Sequence, residues 1–203
     1  MLETSLAQLP VMESFYTIQG EGHFQGTAAH FIRLGGCDVG CHWCDVKESW
    51  TIDQKWYGSI EAIVQDVDSR AEIVVITGGE PLMHQLNNLT AALKAAGFKT
   101  HLETSGAHSL SGNWDWICLS PKKFKQPLPE IYKRADELKC IVYNKSDFQF
   151  AQAEAEKVNE SCLLMLQPEW EVRAKVMPLM TDFVLAHPEW KITLQTHKYL
   201  GVP

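Results

Sequence analysis

The chain has 203 residues, 45% of them hydrophobic, which suits one domain with a core of its own and indicates no special composition class. A net charge of -7, from 25 acidic against 18 basic residues, argues against a broad nucleic-acid-binding face, which needs clustered Lys and Arg, and favours a small substrate. The opening MLETSLAQLP lacks the basic start and apolar stretch of a secretory signal, and no run approaches membrane-spanning length, so the chain reads as cytoplasmic.

Apolar runs predict strands at 29–35, 72–78, 98–104, 114–120, 137–143, 162–168 and 191–196. Several are apolar on both faces, as strands covered by helices are. Ser59 caps a predicted helix with Ile60, Ile63, Val64 and Val67 on one face, and Leu86, Leu89 and Leu93 form a second before Gly97. A third helix is capped by Asp147 with Phe148, Ala151, Ala155 and Val158 inward; a fourth carries Val172, Val176, Leu179 and Phe183, and Pro178 is expected to kink or restart it. With no linker or repeat in view, residues 1–203 read as a single α/β domain. The pattern fits a partial, open parallel (β/α) barrel of about six β/α units. In such folds the chemistry lies at the C-terminal ends of the strands.

Of six cysteines, Cys118, Cys140 and Cys162 lie in apolar runs and read as small buried hydrophobes, whereas Cys37, Cys41 and Cys44 crowd into a C-x3-C-x2-C triplet after the first predicted strand. Structural zinc wants four ligands, and His42 is the only imidazole inside the motif. An ordinary ferredoxin cluster also wants four cysteines. Three thiolates on a 4Fe-4S cluster leave one iron open to a chelating cosubstrate, and this is the preferred reading over zinc.

With Trp43 just before its last cysteine, the triplet resembles the signature of the radical S-adenosylmethionine superfamily, and the fold is then a trimmed radical SAM core. The resemblance implies that S-adenosylmethionine chelates the open iron and is cleaved, after one-electron reduction, to methionine and a 5′-deoxyadenosyl radical. It assigns Trp43 and Cys44, the GGEP element Gly78, Gly79 and Glu80, the segment Ser120, Pro121 and Lys122, and the segment Gln167, Pro168 and Glu169 to the cosubstrate. Read alone, each is bland: Gly-Gly is a common turn, Ser-Pro likewise, and Lys122 with Lys123 is a solvated pair.

ESFYTIQGEGHFQG at 13–26, FIRLGGC at 31–37, WCD at 43–45, LETSG at 102–106 and the closing LQTHKYLGVP together resemble the 7-carboxy-7-deazaguanine synthase family, from about residue 13 to the C-terminus. That family contracts 6-carboxy-5,6,7,8-tetrahydropterin, with loss of ammonia, in queuosine-type deazapurine biosynthesis. The resemblance implies pterin contacts from Ile18, Gln19, Gly20, Arg33 and Thr77. Amide and carboxylate groups of Gln19 and Glu21 suit an aminopyrimidinone edge, and the Arg33 fork suits the substrate carboxylate. Glu103, His197 and the carboxylate of Pro203 are further candidates; in isolation, a strand-end Glu and a near-terminal His are more often surface residues or ordinary hydrogen-bond partners. Flavodoxin or ferredoxin is the implied electron donor, and a homodimer the implied assembly. The family's residue after WCD is Thr or Ser, whose hydroxyl helps hold Mg²⁺. Here Val46 offers no oxygen, so Mg²⁺ dependence is expected to persist in weaker form, or Asp45 to take over. The rival readings are another radical enzyme, such as a glycyl-radical activase, and a zinc-binding interaction module.

Overall fold

The computed structural model describes residues 8–203; most of the N-terminal segment read for a signal, residues 1–7, lies outside the described residues. The chain gathers into two compact units, each assembled from separate stretches. The first takes the described residues up to Tyr16, Ala28–Glu103 and Leu110–Asp115; the second takes Thr17–Thr27, Thr104–Ser109 and Trp116–Pro203.

In the first unit the strands are β1 (Gln8–Ile18), β2 (Ala28–Leu34), β3 (Tyr57–Ser59), β4 (Ile73–Gly78) and β5 (Lys99–Thr104), side by side in the order β3-β1-β2-β4-β5. β2, β4 and β5 are parallel, with α1 (Ile60–Asp66) and α2 (Asn87–Ala95) in the crossovers. Parallel strands need such crossovers, and burial on both faces explains the unbroken apolar run Ile73–Ile76. Ser59 caps α1 as expected, its Oγ accepting from the Ala62 N–H at 3.2 Å. Ile32, Leu34, Ile76, Leu89, Leu93 and Leu102 are fully buried, each stabilising the unit by about 1.5–3 kcal/mol of apolar transfer.

The second unit holds β6 (Trp116–Leu119), α3 (Pro129–Arg134), β7 (Glu137–Val142), α4 (Ser146–Ala155), β8 (Leu163–Pro168), α5 (Arg173–Ala186), β9 (Trp190–Ile192) and α6 (Thr196–Leu200). Its strands are parallel in the order β6-β7-β8-β9. Three predictions need correction. β1 and β3 were not anticipated, because Pro10 and the polar, aromatic residues of β1 blur its alternation. Asp147 does not cap α4 but sits in its first turn, reaching back to the N–H groups of Tyr143 and Asn144 at 2.8 and 2.7 Å and pairing with Lys123 at 2.5 Å. α5 does not restart at Pro178; it continues through it, with Val176 and Met180 buried on one face. Among the described residues no helix is long and apolar enough to cross a membrane.

Candidate active site

In the first unit, the cysteine loop leaves β2 and is tied down by backbone. Gly36 N–H donates to Ser49 O at 2.7 Å, Cys37 N–H to Trp50 O at 3.1 Å, and Cys44 N–H to Cys41 O at 3.1 Å. All three cysteines are half-buried and none of the six in the chain forms a disulfide. Burial pushes the Cys37 thiol up, and the nearby Glu80 and Cys44 charges add to this, while N–H groups of Val39 and Gly40 aimed at its sulfur pull the other way. Those donors suit a thiolate, and three half-buried thiols on so short a loop fit a cluster-holding site. Among the described residues no three His, Cys, Asp or Glu side chains converge as ligands of one ion would. A four-iron cluster takes each thiolate on a different iron. Trp43 packs edge-to-face on His42 with centroids 4.2 Å apart.

The GGEP element meets this loop directly. Gly79 N–H donates to Leu34 O at 2.9 Å and Glu80 N–H to Gly36 O at 2.8 Å. A Cβ on Gly79 would stand 2.2 Å from Gly36 O and 2.8 Å from Cys37 Cβ, so only glycine lets the end of β4 lie against the segment entering the cysteines. Glu80 is 1% exposed, and one carboxylate oxygen caps the 3-10 turn Pro81–Met83 by accepting from Leu82 N–H at 3.1 Å. His84 adds a 2.8 Å bond to Gly35 O. Beyond the loop, Val46 presents its carbonyl to Ser49, 2.7 Å from the hydroxyl, and Asp45 is exposed.

Arg33 and Thr77 are paired in register on β2 and β4, so their side chains share a face; Glu103 follows Leu102, the partner of Ile76 on β5. Three predicted substrate residues thus stand in a row across neighbouring strands. Arg33 Nε donates to Glu13 Oε2 at 2.7 Å.

In the second unit, the Lys122 ammonium folds back on Ser120, 2.6 Å from its carbonyl and 2.7 Å from its hydroxyl, while Lys123 pairs with Asp147. Lys122 and Lys123 are therefore not a matched solvated pair. Glu169 caps the entry to α5, accepting from Glu171 and Val172 N–H groups at 3.1 and 3.2 Å. Gln167, on β8, is different: its Oε1 is buried and has no hydrogen-bond partner among the described residues. A buried orphan acceptor fits a ligand that brings its own donor, as the amines of S-adenosylmethionine do.

The loop 18–27 after β1 is held by residues far away in sequence. Gly20 O accepts from both the N–H and the hydroxyl of Thr196 at 2.9 Å, and a Cβ on Gly20 would fall 2.1 Å from His197 Nδ1, so the backbone lies tight under that ring. Gln19 Oε1 accepts from Glu21 N–H at 3.2 Å. Glu21 Oε2 pairs with Lys139 Nζ at 2.6 Å, and Gln195 Nε2 donates to Glu21 Oε1 at 2.9 Å. Further along, Gly22 N–H donates to Thr193 Oγ1 at 2.7 Å and His23 N–H to Glu137 Oε2 at 2.9 Å. The His23 and Phe24 rings clasp Trp116 on β6, with centroids 5.1 and 5.0 Å away. Burial alone would raise the Glu21 carboxyl, but the Lys139 charge, hydrogen bonds from Lys139 and Gln195, and the His197 charge hold it down at about 2. At the chain's end Val202 N–H donates to His197 O at 3.2 Å, and Pro203 is exposed.

Lys139, Gln195, Glu137, Thr193 and Trp116 are absent from the sequence-derived set. A signal was there: Glu137 and Lys139, two apart within an apolar covered strand, point to one face, and buried charges two apart imply partners. What they would pair with was not readable, since the partner loop is over a hundred residues upstream.

A cluster loop at the end of one parallel strand and a glycine-glycine-carboxylate turn at the end of the next define a radical SAM enzyme, and residues 31–141 match the family model described as the Radical SAM superfamily. The chain is 53% identical over 195 residues to the 7-carboxy-7-deazaguanine synthase of Flavobacterium psychrophilum, covering 96% of this chain and 93% of the relative. It is 48% identical to that of Synechocystis sp., covering 95% and 93%. The crystal structure of QueE from Escherichia coli superposes with a TM-score of 0.83 at 32% identity, covering 92% of this chain and 93% of that one. The chain belongs to the 7-carboxy-7-deazaguanine synthase family of the radical SAM superfamily.

Proposed function

We propose that this chain converts 6-carboxy-5,6,7,8-tetrahydropterin to 7-carboxy-7-deazaguanine with release of ammonia, as one radical SAM domain. The observation that carries this reading is the 18–27 loop, whose Gln19–Gly20 turn is locked under His197 by Thr196. A rigid turn offering an amide and backbone groups suits the aminopyrimidinone edge of a pterin. The extent of the family match, 31–141, runs through both compact units and supports treating them as one functional domain.

Cys37, Cys41 and Cys44 would hold a 4Fe-4S cluster, and S-adenosylmethionine bound on its open iron would supply a primary carbon radical. The chain's own residues position the partners. Gly78, Gly79 and buried Glu80 brace the cysteine loop and offer a carboxylate to an ammonium; Gln167 Oε1 offers an unpaired acceptor; the Ser120–Lys122 and Pro168–Glu169 segments complete the cosubstrate set. Arg33 and Thr77, side by side, with Glu103 beyond, suit the substrate carboxylate and ring. Hydrogen loss at C6, ring contraction and departure of ammonia then require a substrate held against rotation, which is what the Ile18–Gly20 backbone, His197 and Pro203 would do.

Mg²⁺ enters in weaker form. Val46 brings no side-chain oxygen, leaving Asp45 and the substrate's own oxygens as hard donors, so a chelator is expected to slow turnover without abolishing it. Reduction by flavodoxin or ferredoxin, a homodimer and a cytoplasmic setting complete the reading.

Anaerobic turnover of the reconstituted chain with the pterin, S-adenosylmethionine and a reductant, read by mass spectrometry, tests it. A product lighter than the substrate by ammonia alone supports the proposal. Methionine and 5′-deoxyadenosine without that product would leave a radical enzyme of another kind, such as an activase, and overturn it.

A further inference from the structure

Lys139 is the least expected charge in the molecule. It stands in the middle of β7, its side chain 5% exposed, with an ammonium that has left water almost entirely. A buried ammonium is strongly unfavourable unless paired and hydrogen-bonded, so its partner's position is dictated as firmly as its own. That partner is Glu21, at the turn that carries Gln19 and Gly20, and the second carboxylate oxygen is taken by Gln195. With both oxygens engaged, Glu21 is better placed to hold the turn than to meet a substrate.

The face around it is consistent with this division of labour. On β7, Glu137 takes the His23 N–H and is 3.6 Å from the Cys118 thiol of β6, which donates to it; after β9, Thr193 takes the Gly22 N–H. The charged and titratable groups facing Glu21 are thus Lys139 and, further along the loop, Glu137 on β7, His197 on α6 and His23 on the loop itself, with Cys118 behind Glu137. Glu137 anchors the loop's far limb through the His23 backbone N–H. The Lys139–Glu21 contact anchors the near limb by charge.

We infer that Lys139 is a positioning residue for the pterin-binding turn, which it fixes by holding Glu21 as a half-buried carboxylate next to Gln19 and Gly20. The inference rests on the reading of the 18–20 turn as the pterin site. Removing the cation leaves a half-buried carboxylate without its counter-charge, which then favours a proton. The turn consequently gains a pH dependence that runs through Glu21.

The test uses reconstituted holoenzyme of the wild type, Lys139→Met and the double variant Lys139→Met/Glu21→Gln, with KM and kcat measured anaerobically over roughly pH 6–9. For Lys139→Met, the pterin KM rises about tenfold or more with kcat nearly unchanged, and it climbs further as pH increases and Glu21 ionises. The KM for S-adenosylmethionine and the iron content stay at wild-type values. The double variant, with both charges gone, recovers most of the pterin KM and loses the pH dependence. An unchanged pterin KM in Lys139→Met, a flat pH profile, or a double variant as impaired or as poorly folded as the single overturns the inference and leaves Lys139 a core residue only. Product from the wild type alongside such a result sinks this inference alone; no product from the wild type sinks the substrate reading.

Discussion

The cysteine loop and the 18–27 loop each leave the end of a strand and each depend on a glycine pressed against its neighbour, yet they are held in opposite ways. The cysteine loop is braced by residues near in sequence: Cys37 by Val39, Gly40 and Trp50, Cys44 by Cys41, with the turn after β4 supplying Gly79 and Glu80. The 18–27 loop is held by Thr196, Lys139, Gln195, Thr193 and Glu137, at separations of 114 to 176 residues. Local bracing suits a site whose ligands must preset a common metal centre. Long-range bracing lets the identity of the substrate be set by a different part of the chain from the one that starts the reaction.

The largest effect expected from breaking this contrast is at the cysteines. Cys41→Ala removes a cluster ligand, and iron content, visible absorption and turnover are all expected to fall to background, whereas folding measured by circular dichroism persists. Gly79→Ala comes next, since its Cβ must displace the Gly36 carbonyl and Cys37; a loss of about 1–3 kcal/mol in unfolding free energy and reduced iron loading are the expected outcome. If iron loading were normal, the close approach of β4 to the loop would not matter for the cluster. Gly20→Ala presses on His197 instead, and should raise the pterin KM about tenfold while iron content stays normal. Equal damage to both readouts would dissolve the distinction between the two loops.

Smaller effects sharpen the same comparison. Gln167→Leu removes a buried acceptor that has no partner, so the ligand-free chain should gain about 1 kcal/mol in stability while the KM for S-adenosylmethionine rises. A stabilised variant with unchanged KM would remove Gln167 from the cosubstrate set. His101, buried on β5, contributes a background shared by all variants: burial chiefly, with Lys99 assisting against Asp115, lowers its imidazole to about 4. The unfolded chain takes up this proton first on acidification, so the contribution is complete above about pH 6.5, is lost as pH falls towards 4, and amounts to roughly 3 kcal/mol. Thermal melts of His101→Leu should show a flatter acid limb than the wild type.

Much of the fold was legible because covered parallel strands announce themselves as apolar runs: the strands at 72–78, 98–104, 137–143 and 162–168 fall within two residues of β4, β5, β7 and β8. β9 is shorter than expected, because Thr193 and Gln195 are spent on the 18–27 loop and α6 begins at Thr196. The cysteine loop was readable from spacing alone, since its chemistry lies within eight consecutive positions. Its link to Gly79 was suggested only by resemblance. Lys139 carried a sequence signal in its two-residue spacing from Glu137 within a covered strand, but a lysine in a strand ordinarily snorkels to water, and only the packed face shows that this one pairs with Glu21. Glu21 was singled out for its carboxylate, but a carboxylate's role is decided by what already occupies its oxygens.

The most direct measurement is the fate of deuterium at C6 of the pterin during anaerobic turnover. If the radical acts on that carbon and the cosubstrate is regenerated, label appears in recovered S-adenosylmethionine while 7-carboxy-7-deazaguanine accumulates in excess of methionine. Recovered S-adenosylmethionine free of label, with the pterin unconsumed, would contradict the account.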